Sequence, residues 1–211
     1  MSSLTDLITN FGDVIELDFP AWDTGKATGI LGRHPGWQIY QPHKPGHNRF
    51  GLSVTSLDGG FTGEPDLYSL REYNKMNGTT FNESHFKRRT NIVEFIPELK
   101  ELLDYFEPGV GRVHFLRLDK GGFFPPHRDN GAIVNVPTFR IIVPINNCHP
   151  NEFKWVQEDH FLKLDPGTAY FINTTKIHSV FSYVDNCLLL VMNVNAEPTI
   201  LDKLVKRLAT I

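Results

Sequence analysis

Short runs of β-branched and aromatic residues, each about the length of a strand, dominate the second half of the chain. Turn residues such as Asn146-Asn147 and Asp165-Pro166-Gly167 separate them. The predicted strands are Val113–Leu118, Phe139–Ile145, Phe153–Gln157, Phe161–Leu164, Ala169–Ile172, Ser179–Tyr183 and Leu188–Val194. Strands this closely spaced favour a mainly β fold, an antiparallel double-sheet jelly roll of cupin type, over residues 111–196.

Helical periodicity appears on either side of these strands. One predicted helix ends at Pro108-Gly109, and its apolar stripe consists of Ile96, Leu99, Leu102, Leu103 and Phe106. Another is predicted over 65–76, and a C-terminal helix over 197–211. We expect the first 110 residues to form a helical and loop region that covers the barrel, and residues 1–211 to form a single domain.

Composition narrows the class of protein further. Hydrophobic residues make up 40% of the 211 positions, which is typical of a globular core. A formal net charge of −3 creates no general attraction for nucleic acid or an anionic membrane, and no apolar run approaches the length of a membrane span. Cys148 and Cys187 form no redox or zinc motif, so we expect them to be reduced and not catalytic. The expected location is the cytoplasm.

His127, Asp129 and His178 are the candidate metal ligands. Side chains two residues apart on an extended strand point the same way, so His127 and Asp129 are presented together, and His178 from another strand completes three ligands. Two imidazoles and one carboxylate are typical of non-haem Fe(II) oxygenases, which leave positions open for O₂ and substrates. A surface turn at Asp129 and a core position for His178 stay open as alternatives. We expect structural or solvent-facing positions for His114, His149 and His160.

Arg140 is the candidate anion-binding residue. The apolar face of its strand consists of Phe139, Ile141, Val143 and Ile145, so Arg140 points to the opposite side, with Ile142. If that side lines the barrel, the buried guanidinium needs an anion, and its planar fork suits a carboxylate. A salt bridge to an internal Asp or Glu is the alternative.

These segments together resemble the Fe(II)/2-oxoglutarate-dependent oxygenases, within them the aspartyl/asparaginyl β-hydroxylase-like branch. The resemblance covers about residues 110–195 and lies in Arg117–Gly122, Pro126–Asp129, Phe139–Ile145, Leu164–Phe171 and His178–Val180, while Asn48–Leu52 resembles a substrate-side segment. It implies a double-stranded β-helix that uses Fe(II), 2-oxoglutarate and O₂ and releases succinate and CO₂. It also implies that His127, Asp129 and His178 bind iron and that Arg140 anchors a carboxylate.

One departure from the family concerns the cosubstrate. Many members carry an arginine beyond the distal histidine that holds the far carboxylate of 2-oxoglutarate, whereas Asp185–Leu190 contains no basic residue. Arg140 is therefore our predicted anchor for that carboxylate; an altered or lost cosubstrate mode stays open.

The predicted function is a 2-oxoglutarate-dependent dioxygenase that hydroxylates an amino acid, a peptide side chain or a small metabolite. The expected partners are a small-molecule or peptide substrate, with neither a membrane nor nucleic acid. A metal-dependent cupin enzyme that does not use 2-oxoglutarate is one alternative, and a non-catalytic binding module is another.

Overall fold

The computed structural model describes residues 3–44, 46–129 and 137–209. The strands in these ranges are β1 (Val14–Leu17), β2 (Gln38–Ile39), β3 (Arg49–Ser53), β4 (Thr55–Ser56), β5 (Arg88–Arg89), β6 (Val110–Leu118), β7 (Phe123–His127), β8 (Thr138–Asn146), β9 (Phe153–Gln157), β10 (His160–Leu162), β11 (Ala169–Ile172), β12 (His178–Ser182) and β13 (Cys187–Asn195). The helices are α1 (Leu4–Phe11), α2 (Thr24–Gly32), α3 (Leu70–Asn77), α4 (Pro97–Phe106) and α5 (Pro198–Val205). Across the described part of the chain, every helix is too short or too polar to span a membrane.

Two antiparallel sheets face each other and enclose the interior. In the described residues, the larger sheet has the strand order β1-β11-β8-β13-β6-β3-β2 and the smaller one the order β10-β9-β12-β7. The short strands β4 and β5 pair separately. This confirms the predicted double-stranded β-helix of cupin type with flanking helices.

The outer face of the larger sheet packs against the helices. Alternate side chains of β6, β8 and β13, among them Phe115, Phe139 and Met192, join α4 and α5 in one buried apolar cluster. α4 is the helix predicted before Pro108-Gly109, and its stripe of Leu99, Leu102, Leu103 and Phe106 is buried there. The helices therefore close the outer side of the sheet and leave its inner side for the cavity.

Strand alternation decides which β8 side chains reach the interior. Ile141 and Val143 lie in the helix-covered cluster, whereas Ile142 lies in a second cluster between the two sheets. Arg140 shares the inner side with Ile142 and lines the cavity, as the sequence pattern predicts. A slip of one residue in the pairing of β8 would exchange the two faces and bury the guanidinium under the helices, so the register is strongly specified.

The first half of the chain contributes more to the sheet than its sequence pattern indicates. β1 pairs with β11, and β3 pairs with β6, so segments expected as covering loops extend both ends of the larger sheet. The helix predicted over 65–76 begins later, at Leu70, because the preceding residues form a turn in which buried Asp66 accepts a hydrogen bond from Ser53. Its end is correct: Gly78 closes it with a φ of 65°.

Candidate metal centre

The pairing of β7 with β12 brings His127 and His178 together. His127 ends β7, His178 begins β12, and the two residues are direct partners in the antiparallel register. Their ring centroids are 4.3 Å apart. β7 is the edge strand of the smaller sheet, which explains why its two prolines, lacking N–H donors, are tolerated immediately before His127.

Asp129 completes the cluster from the segment that follows β7. Its backbone N–H donates to the carbonyl oxygen of Thr174 over 2.9 Å, which holds the carboxylate beside the two rings. Asp129 Oδ1 lies 3.7 Å from His127 Nε2, and Oδ2 lies 3.5 Å from His178 Nε2. One potential ligand atom from each of the three residues falls within 4.8 Å of the others. The structure thus brings the three predicted ligands into one cluster.

Backbone carbonyls orient both imidazoles. His127 Nδ1 lies 2.7 Å from the carbonyl oxygen of Pro125, and His178 Nδ1 lies 3.0 Å from that of Lys176. A carbonyl only accepts, so each Nδ1 carries the hydrogen and each Nε2 keeps its lone pair for the cluster. Histidines that bind metals use this second hydrogen bond to fix their tautomer.

The surroundings of His178 keep its ring neutral. The residue is 3% exposed, and Trp155 stacks on it with ring centroids 5.7 Å apart. Burial lowers the pKa of His178, so at neutral pH the ring is uncharged and able to coordinate. A core position was the alternative interpretation of this histidine, and the structure combines burial with a place in the cluster.

Arg140 is in direct contact with the cluster. Its Nη1 lies 2.5 Å from Asp129 Oδ2, and its Nε donates to Asn193 Oδ1 over 3.0 Å. Asn193 is fixed in turn, because its Nδ2 donates to the carbonyl oxygen of Arg112. This ion pair is the salt bridge weighed as an alternative for Arg140.

The Asp129 carboxylate fits a metal ligand. Among the described residues, Asp129 Oδ2 is buried and makes no other polar contact except to the His178 ring, and Arg140 Nη1, 2.5 Å away, is the cation that meets it in this structure. A buried carboxylate oxygen in that position is costly unless a cation or a donor meets it. Together with two aligned Nε2 atoms, this oxygen completes a donor set that suits Fe(II).

A cavity of about 400 Å³ opens from the cluster between the two sheets. Three arginines from the larger sheet, Arg49, Arg112 and Arg140, line it. Arg112 has a structural partner, since its Nε and Nη2 donate to the two carboxylate oxygens of Glu83 over 2.8 Å each. Such a cavity is suited to a small anionic ligand.

The sequence pattern did not assign two of the cavity residues to the site. His114, expected to be structural or solvent-facing, is 2% exposed and lines the cavity, and burial lowers its pKa well below the usual value. Its position on the inner side of β6, between Arg112 and Leu116, follows the alternation that was available in the sequence. Arg49 lies in Asn48–Leu52, which resembles a substrate-side segment in sequence, but its place in the cavity was not predicted because β3 was not recognised as a strand. His149 and His160 lie at the surface, as expected.

The two cysteines lie apart from the metal cluster. Cys148 and Cys187 are buried and free, with their Sγ atoms 3.4 Å apart. Burial raises the pKa of the Cys187 thiol well above its usual value, which disfavours the reactive thiolate.

Comparison with known proteins gives distant likenesses only. No family model and no curated protein matches the sequence. Among solved structures, a 2OG-Fe(II) oxygenase family oxidoreductase from Burkholderia pseudomallei is 14% identical, with a TM-score of 0.49 over 90% of this chain and 88% of that one. The collagen prolyl hydroxylase of Paramecium Bursaria Chlorella virus-1, solved as a 2OG complex, is 10% identical, with a TM-score of 0.37 over 48% and 71%. An RmlC-like cupin from Desulfovibrio desulfuricans is 17% identical, with a TM-score of 0.31 over 41% and 72%.

Sequence identities this low indicate similarity of the fold alone. The function therefore has to be inferred from the side chains of the cavity.

Proposed function

We propose that this protein is an Fe(II)- and 2-oxoglutarate-dependent dioxygenase that hydroxylates an amino acid, a peptide side chain or a small metabolite, with succinate and CO₂ as co-products. The observation that carries the proposal is the cluster of His127 Nε2, His178 Nε2 and the Asp129 carboxylate at one end of the cavity. Two imidazoles and a carboxylate occupy one face of a metal and leave the opposite face for other ligands.

The three residues of this cluster would hold the iron, and each is prepared for that role. The carbonyl oxygens of Pro125 and Lys176 fix the tautomers of the two histidines, and burial keeps His178 neutral. When bound, Fe(II) would supply activation of O₂ coupled to decarboxylation of 2-oxoglutarate. The rings of Trp155 and Phe124 pack beside the histidines and give that part of the cavity an apolar wall.

Arg140 is proposed to contact 2-oxoglutarate beside the metal. Its guanidinium already touches Asp129, so a carboxylate bound at the metal would lie next to it. The hydrogen bond to Asn193 fixes the plane of the guanidinium and leaves donors directed at the cavity. A positioned arginine of this kind binds a carboxylate with directional, charge-assisted hydrogen bonds.

Succinate formation tests the proposal. Purified protein is incubated with Fe(II), ascorbate, 2-oxoglutarate and panels of amino acids and peptides, and substrate-stimulated succinate is measured. We expect turnover in wild type and in His160→Ala, a surface control, and none in His127→Ala or Asp129→Ala. No succinate from a protein that carries its iron, across all panels, would contradict the proposal.

A metal-dependent cupin enzyme that does not use 2-oxoglutarate is the second candidate. The observation in its favour is that the inner-facing residues of β13, where many oxygenases place an arginine, are Leu189, Val191 and Asn193. Metal binding without any metal-dependent binding of 2-oxoglutarate would favour it. A non-catalytic binding module would show neither, and the intact ligand cluster speaks against that alternative.

A further inference from the structure

Arg49 is a buried cation without a counter-ion. It is 3% exposed, and among the described residues no carboxylate lies within ion-pairing distance of its guanidinium. Its Nε is buried without a hydrogen-bond partner. An unpaired charge in such a position is costly, so it needs either an ion pair or a ligand.

The neighbours of Arg49 orient it without neutralising it. Its Nη2 donates to Gln41 Oε1 over 3.3 Å and lies 2.9 Å from His47 Nδ1. The guanidinium lies over the ring of Phe124, 4.2 Å from its centroid, and 5.8 Å from the ring centroid of Tyr40. These contacts fix the position of the group, and all of them are to uncharged partners, so its positive charge remains available to the cavity.

Arg112 shows how this protein neutralises the charge of a buried arginine that has a structural role. It is buried to a similar depth, at 5% exposure, yet it has a bidentate carboxylate partner in Glu83 and donates to two backbone carbonyls. Arg140 likewise pairs with Asp129. Among these three cavity arginines, Arg49 is the one that no carboxylate neutralises.

Arg49 lines the same cavity as the metal cluster and shares a neighbour, Phe124, with it. Phe124 neighbours both groups: its centroid lies 4.2 Å from Arg49 Cζ and 6.1 Å from the ring centroid of His127, so Arg49 Cζ is no more than about 10 Å from that ring. Both Arg49 and His127 line the same cavity. A ligand whose one end meets the metal can therefore reach Arg49 with a carboxylate several bonds away. Arg140, the anchor that the sequence suggested for the far carboxylate, is paired with Asp129 and is placed instead for the near end of the same ligand.

We propose that Arg49, supported by His47, is a carboxylate-binding subsite that receives the far carboxylate of 2-oxoglutarate; this assignment rests on the proposed function above. The subsite replaces the arginine that is absent from the inner face of β13. A substrate carboxylate has the same chemistry, and the experiment separates the two sources. Loss of a charge-assisted bidentate pair weakens binding by at least about 10-fold.

The subsite itself is tested without metal. Glutarate, a dicarboxylate with no keto group, is titrated into the metal-free full-length chain by calorimetry. We expect Arg49→Gln to bind it at least about 10-fold more weakly than wild type and Arg49→Lys to fall between them. Arg117→Gln is the matched control, because Arg117 lies on the adjacent β6 beneath Trp37 and Phe50, outside the cavity, and this variant should bind as wild type does. Equal affinities of wild type and Arg49→Gln, or no binding by wild type, would overturn the subsite.

The source of the carboxylate is tested with Mn(II) in place of iron. 2-Oxopentanoate has the same chain length as 2-oxoglutarate but lacks the far carboxylate. Wild type should prefer 2-oxoglutarate by at least about 10-fold, and Arg49→Gln should lose that preference while keeping its metal. If the preference survives although glutarate binding is lost, the assignment to 2-oxoglutarate is overturned in favour of a substrate carboxylate. If wild type binds glutarate through Arg49 but shows no metal-dependent binding of 2-oxoglutarate, the proposed function fails and the subsite stands.

Melting temperatures separate a binding role from a structural one. Because Arg49 is an uncompensated buried charge, Arg49→Gln should melt no lower than wild type when no ligand is present. Added glutarate should raise the melting temperature of wild type and leave that of Arg49→Gln unchanged. A large loss of ligand-free stability would instead show that the stacking of Arg49 on Phe124 serves the fold.

Discussion

Removal of one ligand from the cluster should remove most of the stabilisation of the protein by metal. His178→Ala is the sharpest perturbation, because this ring is buried, neutral and oriented by the Lys176 carbonyl, so its Nε2 is fully committed to the cluster. Loss of a group that merely orients a metal ligand costs about 10- to 100-fold in affinity, so loss of the ligand itself should cost at least about 100-fold.

The size of the effect follows from linkage. At a metal concentration of about 100 times the dissociation constant, wild type gains about 2.7 kcal/mol of stability, whereas a 100-fold weaker variant gains about 0.4 kcal/mol. In a protein of this size, 1 kcal/mol shifts the melting temperature by about 2–4 °C. We therefore expect a rise of about 5–11 °C in wild type and about 1 °C in His178→Ala.

The assay is thermal unfolding with and without Mn(II) or Co(II), which avoids oxidation of the iron. The melting temperature of each variant with metal is compared with its own value without metal. The destabilisation caused by the cavity that the missing ring leaves is then the same in both measurements and does not affect the shift. His160→Ala serves as the control, because His160 lies at the surface with a side chain 79% exposed. A metal-dependent shift in His178→Ala as large as that in wild type would refute the assigned ligand set.

Three further predictions concern other groups. Arg140→Ala should weaken 2-oxoglutarate binding by about 10- to 150-fold and leave metal bound, as measured by calorimetry and metal analysis; an unchanged affinity would place its role elsewhere. Burial raises the pKa of Asp66 from 3.8 to about 6, so the folded state holds this proton more tightly and stability falls as the pH rises through that interval. The loss should be about 1.4 kcal/mol between about pH 5 and pH 7.5 by urea denaturation, and Asp66→Asn should remove that part of the pH dependence. Cys148 and Cys187 should react with a thiol reagent only after denaturation, and finding no free thiol under non-reducing conditions would contradict the prediction that they are reduced.

Much of the barrel was predictable because strand alternation is a local property. Phe139, Ile141 and Val143 show the helix-covered face of β8 directly in the sequence, and the same pattern turns Arg140 toward the interior. The spacing of His127 and Asp129 likewise predicted that their side chains lie together, although β7 ends at His127 and the backbone hydrogen bond to Thr174 holds Asp129 in place. Local signals of this kind need no knowledge of which strand is the neighbour.

Pairing between strands that are distant in the chain determined which residues meet at the metal cluster. His178 meets His127 because β12 pairs with β7 in one register, and a shift of one residue would have turned its ring to the other side of the sheet. The sequence gives no distance between Arg140 and Asp129, so it left open the ion pair that the structure contains.

Arg49 shows most clearly what the sequence pattern does not predict. In the sequence it stands in Asn48–Leu52, which resembles a substrate-side segment but lies in the half of the chain expected to form helices and loops. It is buried because β3 adds to β6, with Arg49 opposite Leu118. The sequence thus determined which side chains share a face, since that depends on neighbours along the chain. The tertiary structure alone determined which faces meet around the cavity, because contacts between residues far apart in the chain leave no local pattern.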